Sequence, residues 1–94
     1  MLKRSLLWTR KAEKDLLKVE EYIAQDNPIA AANLVLNIVR QTENIQNFPM
    51  SFEAIHANRP QYRYMVVKPF AVLYEVTDKE VFILRVIHTS TRWK

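Results

Sequence analysis

The sequence contains no cysteine and no glycine, and only four prolines and two histidines. Without cysteine there is no disulfide, no thiolate metal site and no cysteine nucleophile, a usage that fits a reducing compartment. Without glycine no glycine-rich phosphate loop can be built, so Asn, Asp and Pro must shape the turns. His56 and His88 lie in unrelated segments with no metal-ligand spacing. Ser51 and Ser90 stand outside any nucleophile-elbow context. Most acids fall on a charged helix face or in turns rather than as a facing catalytic pair. No cofactor and no metal are therefore expected. No apolar run approaches the ~18 residues of a membrane span. The opening Met1-Leu2-Lys3-Arg4-Ser5-Leu6-Leu7-Trp8 is too short for a leader and meets Arg10-Lys11 without a small-residue cleavage site. The expectation is a cytoplasmic chain with no membrane partner.

What is present is enough for one compact domain over residues 1–94. At 49% hydrophobic, with two Trp, four Tyr and four Phe, the chain has the means to build a core. The formal net charge is +4, and it is unevenly spread. Residues 1–26 carry six Lys/Arg against five Asp/Glu, residues 27–58 one against two, and residues 59–94 seven against three. The first segment reads as a charge-laced helix surface and the last as a basic sheet that suits an acidic partner, whether protein or nucleic acid.

Residues 3–8 read as a short strand. Thr9 is a candidate N-cap for a helix from Arg10 to about Gln25, in which Ala12, Leu16, Val19 and Ile23 recur at helical spacing. Lys11, Lys14, Asp15, Lys18 and Glu21 fill much of its polar face. Asp26-Asn27-Pro28 predicts a second helix starting near Pro28, because proline is at ease in the first helical position. Its stripe is Ala31, Leu34, Val35, Ile38 and Ile45, and Phe48-Pro49 ends it near Asn47. So tight a break makes the two helices an antiparallel hairpin. Residues 49–60 read as a loop. Three runs rich in aromatic and β-branched residues follow: Tyr62 to Val67, Phe70 to Val76 and Val81 to His88, parted by Lys68-Pro69 and Thr77-Asp78-Lys79-Glu80. The predicted class is α+β: a short N-terminal strand and a helical hairpin on one face of a three- to four-stranded, mainly antiparallel sheet. The other face is left partly open.

The candidate functional groups are cations on or just beyond the strands: Arg63, Arg85, Arg92 and Lys68, with His88 as a candidate proton-transfer group. Strict alternation puts Arg85 on one face with Ile83 and Ile87, and His88 on the other with Phe82 and Leu84. Arg85 and Arg63 have two readings each: a solvent-facing arginine whose stem packs on the sheet, or a planar fork presented to an acidic ligand. His88 is either structural or, near a phosphate, a proton carrier. Tyr22, Trp8 and Phe48 read as core aromatics. Trp93 either frays with the chain end or docks back on the fold.

In order and spacing, Trp8-Thr9 to Asp15-Leu16, then Tyr22 to Pro28 with Ala30-Ala31, resemble the helical hairpin of ParE/RelE toxins from bacterial type II toxin–antitoxin systems. Phe48-Pro49 looks like the family's helix ending. Phe70 to Val76 and Val81 to His88, followed by Arg92, resemble its last strands and tail. The resemblance covers nearly the whole chain. It implies a bacterial growth-arresting toxin silenced by a cognate antitoxin that wraps around it. That partner is expected to be acidic and to fold on binding. ParE-like members poison DNA gyrase without an established hydrolytic site. RelE-like members cut messenger RNA in the ribosome with basic residues on the sheet and an acid–base group near the C-terminus. This sequence has Ala71 where RelE-like toxins carry an arginine, and its tail Arg92-Trp93-Lys94 lacks their catalytic tyrosine. The departures favour the gyrase-inhibiting, non-enzymatic branch. A ribosome-dependent endoribonuclease and a non-toxic protein-binding module are the alternatives.

Overall fold

A computed structural model describes residues 3–93. Met1 and Leu2 of the leader reading, and Lys94 of the tail, lie outside the described residues. The elements are β1 (Ser5–Trp8), α1 (Arg10–Ala24), α2 (Pro28–Asn47), a 3-10 turn (Pro49–Ser51), β2 (Glu53–Ala54), β3 (Tyr62–Val67), β4 (Phe70–Val76) and β5 (Glu80–His88). One five-stranded sheet has the order β1-β5-β4-β3-β2. It is antiparallel except where β1 runs parallel to β5.

The caps explain the helix boundaries. The Thr9 hydroxyl accepts the Ala12 N–H at 3.1 Å. Thr9 also donates its own N–H and hydroxyl to the Ile83 carbonyl, so one residue ends β1 and begins α1. The Asn27 side chain accepts the Ala30 N–H at 3.0 Å, with Pro28 at the first helical position. No described residue has a positive φ, which suits a chain without glycine. The β4–β5 turn closes through Thr77, whose hydroxyl accepts the Glu80 N–H at 2.9 Å while its own N–H donates to the Glu80 carbonyl.

Pairing assigns the two faces of the sheet. Val67, Phe70, Val72, Tyr74, Val81, Ile83 and Val86 join Ala12, Val19, Ile38 and Ile45 in one core under the helices. Burying each such Val or Ile side chain is worth roughly 1.5–3 kcal/mol. Val66, Leu73 and Phe82 occupy the other face. There the Trp93 ring packs edge-on against Tyr64, with centroids 4.6 Å apart.

Four expectations need correction. Residues 49–60 are not all loop: Glu53 and Ala54 pair with Tyr64 and Arg63, adding a fifth strand. Two residues are too few for any periodicity to show. Tyr22 and Phe48 are exposed rather than core: Tyr22, in the last turn of α1, lines an open cleft beside the end of β5, and Phe48 caps the end of α2. Asp15, assigned to the charged face, is buried. Strict alternation also fails in β5. Tyr74 pairs with Ile83 but Leu73 with Arg85, so Leu84 is an extra residue. Such a bulge reverses every facing beyond it. Arg85 therefore lies opposite in face to Ile83, and His88, paired with Phe70, joins the helix-covered face rather than that of Phe82.

Candidate functional site

β1 stops at Trp8 while β5 continues to His88, so the last residues of β5 form an uncovered edge. An unpaired backbone N–H there needs a partner, and α1 supplies it. The buried Asp15 carboxylate accepts the Val86 N–H at 3.1 Å and the Arg85 Nε–H at 2.7 Å, with a longer contact to Arg85 Nη2 at 3.4 Å. Arg85 is thus an ion-paired residue whose side chain remains 42% exposed. Among the described residues its Nη1 has no protein partner.

A cleft of about 520 Å³ opens beside this pair, lined by Asp15, Lys18, Tyr22, Arg85, His88 and Ser90 among others. His88 Nδ1 accepts the Ser90 backbone N–H at 3.1 Å and lies 2.8 Å from the Ser90 hydroxyl. Its ring meets Phe70 edge-on at 5.6 Å. Thr89 donates its N–H to the Pro69 carbonyl at 2.9 Å, which brings the exposed Lys68 turn and the tail bearing Arg92 to this same end of the sheet. Arg85, His88, Lys68 and Arg92 are therefore neighbours by topology, and Lys18 of α1 belongs with them.

Arg63 does not belong with them. It stands opposite Tyr74 on the helix-side face at the far end of β3. Its guanidinium donates to the carbonyls of Phe52 at 2.6 Å, Pro60 at 2.8 Å and Met50 at 3.4 Å. The Tyr74 hydroxyl donates to the Pro49 carbonyl at 2.6 Å. Together they hold the 49–60 segment, whose short pieces have few bonds of their own. Burial pushes the Tyr74 phenol well above the ordinary tyrosine range, and the Arg63 charge pulls partly against that shift. Arg63 and Arg85, both offered by the sequence as target-binding cations, are thus employed differently: one clamps a loop and the other closes a strand edge.

Sequence reasoning missed Asp15 and Lys18. Asp15 was legible, since it shares the stripe of Ala12 and Val19 at spacings of three and four. An acid in an apolar stripe calls for a buried partner. No group of three metal-ligating side chains occurs among the described residues. No described helix is long and apolar enough to cross a membrane.

Comparison with known proteins agrees with this architecture. The Caulobacter vibrioides toxin RelE2 is 28% identical over 85 residues, covering 90% of this chain and 94% of its own. The chromosomal ParDE toxin–antitoxin system of P. aeruginosa includes a chain 30% identical with a TM-score of 0.76, covering 92% of this chain and 96% of that one. The RelBE2 toxin–antitoxin complex of Mycobacterium tuberculosis shares the fold, with a TM-score of 0.68 at 19% identity over 93% of this chain and 99% of that one. Residues 6–93 match the model of the ParE toxin of the type II toxin–antitoxin system parDE. From the first strand to the tail tryptophan, this chain belongs to the ParE family within the ParE/RelE toxin superfamily.

Proposed function

We propose that this toxin arrests growth by poisoning DNA gyrase, without a hydrolytic step of its own, until an acidic cognate antitoxin neutralises it. The observation that carries the reading is the state of the one acid–base candidate. Cleaving RNA needs a base for the 2′-hydroxyl and an acid for the leaving oxygen. In the cleft, His88 has its Nδ1 taken by Ser90. The neighbouring carboxylate of Asp15 is committed to Arg85 and to Val86 N–H. Tyr22 and Lys18 line the same cleft, but no hydrogen bond ties either of them to His88 among the described residues. Binding a macromolecule needs no such pair. The exposed Lys68 and Arg92, the free side of the Arg85 fork and the His88 ring offer a cationic, polar contact at one end of the sheet.

The test is a plasmid supercoiling assay with purified gyrase. The toxin should inhibit supercoiling and trap a cleaved gyrase–DNA complex, and Lys68→Ala with Arg92→Ala should weaken inhibition at unchanged fold. Untouched supercoiling at toxin excess would remove this reading. A ribosome-dependent endoribonuclease is the second reading, favoured by the cleft itself, where Arg85 and Lys18 adjoin His88. Toeprinting on translating ribosomes would then show new cuts that fade in His88→Ala.

A further inference from the structure

The helices bury one stripe on the sheet and expose a second one away from it. Leu17 is 57% exposed, Leu36 53% and Val39 42%. Beside them a groove of about 350 Å³ runs between α1 and α2, lined by Trp8, Leu16 and Val35 and flanked by Glu13 and Glu20. Scattered exposed leucines are ordinary, but Leu17 and Val39 also line this groove, and exposed apolar side chains gathered at a groove mark a docking surface.

The charges of α1 say what docks there. Its outward face carries Arg10, Glu13 and Lys14 on the N-terminal side of Leu17, and Glu20 and Glu21 on the C-terminal side. Net positive charge at a helix N-terminus and negative charge near its C-terminus oppose the helix dipole, and no basic residue stands in the last turn to offset it. A second α1 laid antiparallel across the first reverses both the dipole and the charges. Leu17 is the central residue of the 15-residue helix. A twofold axis lying in the contact plane and crossing α1 at Leu17 sets Lys14 of each copy opposite Glu21 of the other. Leu36 and Val39 extend the same contact along α2.

We infer that the outward face of the helical hairpin is the interface of an isologous dimer of this toxin, centred on Leu17 and held in register by reciprocal Lys14–Glu21 pairs. A 15-residue helix is ~22 Å long and two packed helices span ~20 Å. The face thus offers about 450 Å² per copy, below the roughly 800 Å² of a standard interface. The dimer is therefore weak, and Glu13 facing Glu20 of the second copy weakens it further.

Sedimentation velocity of the purified toxin from about 5 to about 500 µM tests this, with a dissociation constant expected on the order of 10–100 µM. Leu17→Glu should leave one chain mass throughout, with its helical circular dichroism intact. Lys14→Glu and Glu21→Lys should each weaken association at least about fivefold, and the double variant should recover it. Glu13→Gln should tighten it. A monomer at every concentration, association indifferent to Leu17→Glu, or a double variant no better than the singles would each overturn the inference. So would protection of Leu17 and Leu36 appearing only when antitoxin is added, which would give this face to the antitoxin.

Discussion

At the Pro60 end of the sheet, Arg63 and Tyr74 direct their polar groups onto main-chain carbonyls between Pro49 and Pro60. At the His88 end, Arg85 gives Nε to Asp15 and keeps part of its fork open, while Lys68, Arg92 and Lys18 have no protein partner among the described residues. The residue types are alike and their employment differs. What separates them is the unmet demand of the backbone nearby. The 49–60 segment holds one two-residue strand and must borrow donors from side chains. The exposed end of β5 needs an acceptor, which Asp15 provides, and so it leaves cations over.

The contrast can be broken by substitution, and the largest effect should come from Asp15. Asp15→Ala strips the acceptor from a buried edge N–H and from Arg85. It should cost about 2–3 kcal/mol in urea denaturation, and a loss under ~0.5 kcal/mol would deny its edge-closing role. Arg63→Ala should cost about 2 kcal/mol, spread over three carbonyls, while gyrase inhibition per folded molecule stays at the parent level. Loss of inhibition at parental stability would move Arg63 back among the target-binding cations.

Tyr74→Phe should cost about 1 kcal/mol at neutral pH by orphaning the Pro49 carbonyl. Its sharper signature lies in alkali. Because the folded state holds the phenol above its ordinary value, the unfolded chain sheds the proton first. Stability from this group is thus complete below about pH 10 and is lost as pH rises beyond it. The parent should lose stability through that range more steeply than Tyr74→Phe. Equal slopes would mean the phenol titrates freely. The smallest stability effect belongs to Lys68→Ala and Arg92→Ala, each within about 0.5 kcal/mol. Their effect should appear instead as weakened growth arrest on induction.

Much of the architecture was legible because it is local. Thr9 and Asn27-Pro28 announce both helix starts, and Phe48-Pro49 announces the second end. The three long strands fall within a residue of where their aromatic and β-branched runs place them. The functional face was not legible, for one identifiable reason. A single extra residue at Leu84 reverses the facing of Arg85 and His88, and nothing local in Ile83-Leu84-Arg85-Val86 signals a bulge. Tyr22 and Phe48 mislead similarly: an aromatic at a helix end is buried or exposed according to how far the sheet extends beneath it.

By itself, then, the amino-acid order determined the two helices and the three long strands, the glycine-free turns, and a chain order matching the ParE/RelE toxins, all consequences of periodicity, capping and side-chain shape within a few residues. Only the tertiary structure decided which cations remain available. Arg85 meets Asp15 across 70 residues of chain and Arg63 meets the Phe52 carbonyl across 11. Such pairings follow from which backbone groups the packed sheet leaves unsatisfied, a quantity defined only once strands and helices have met.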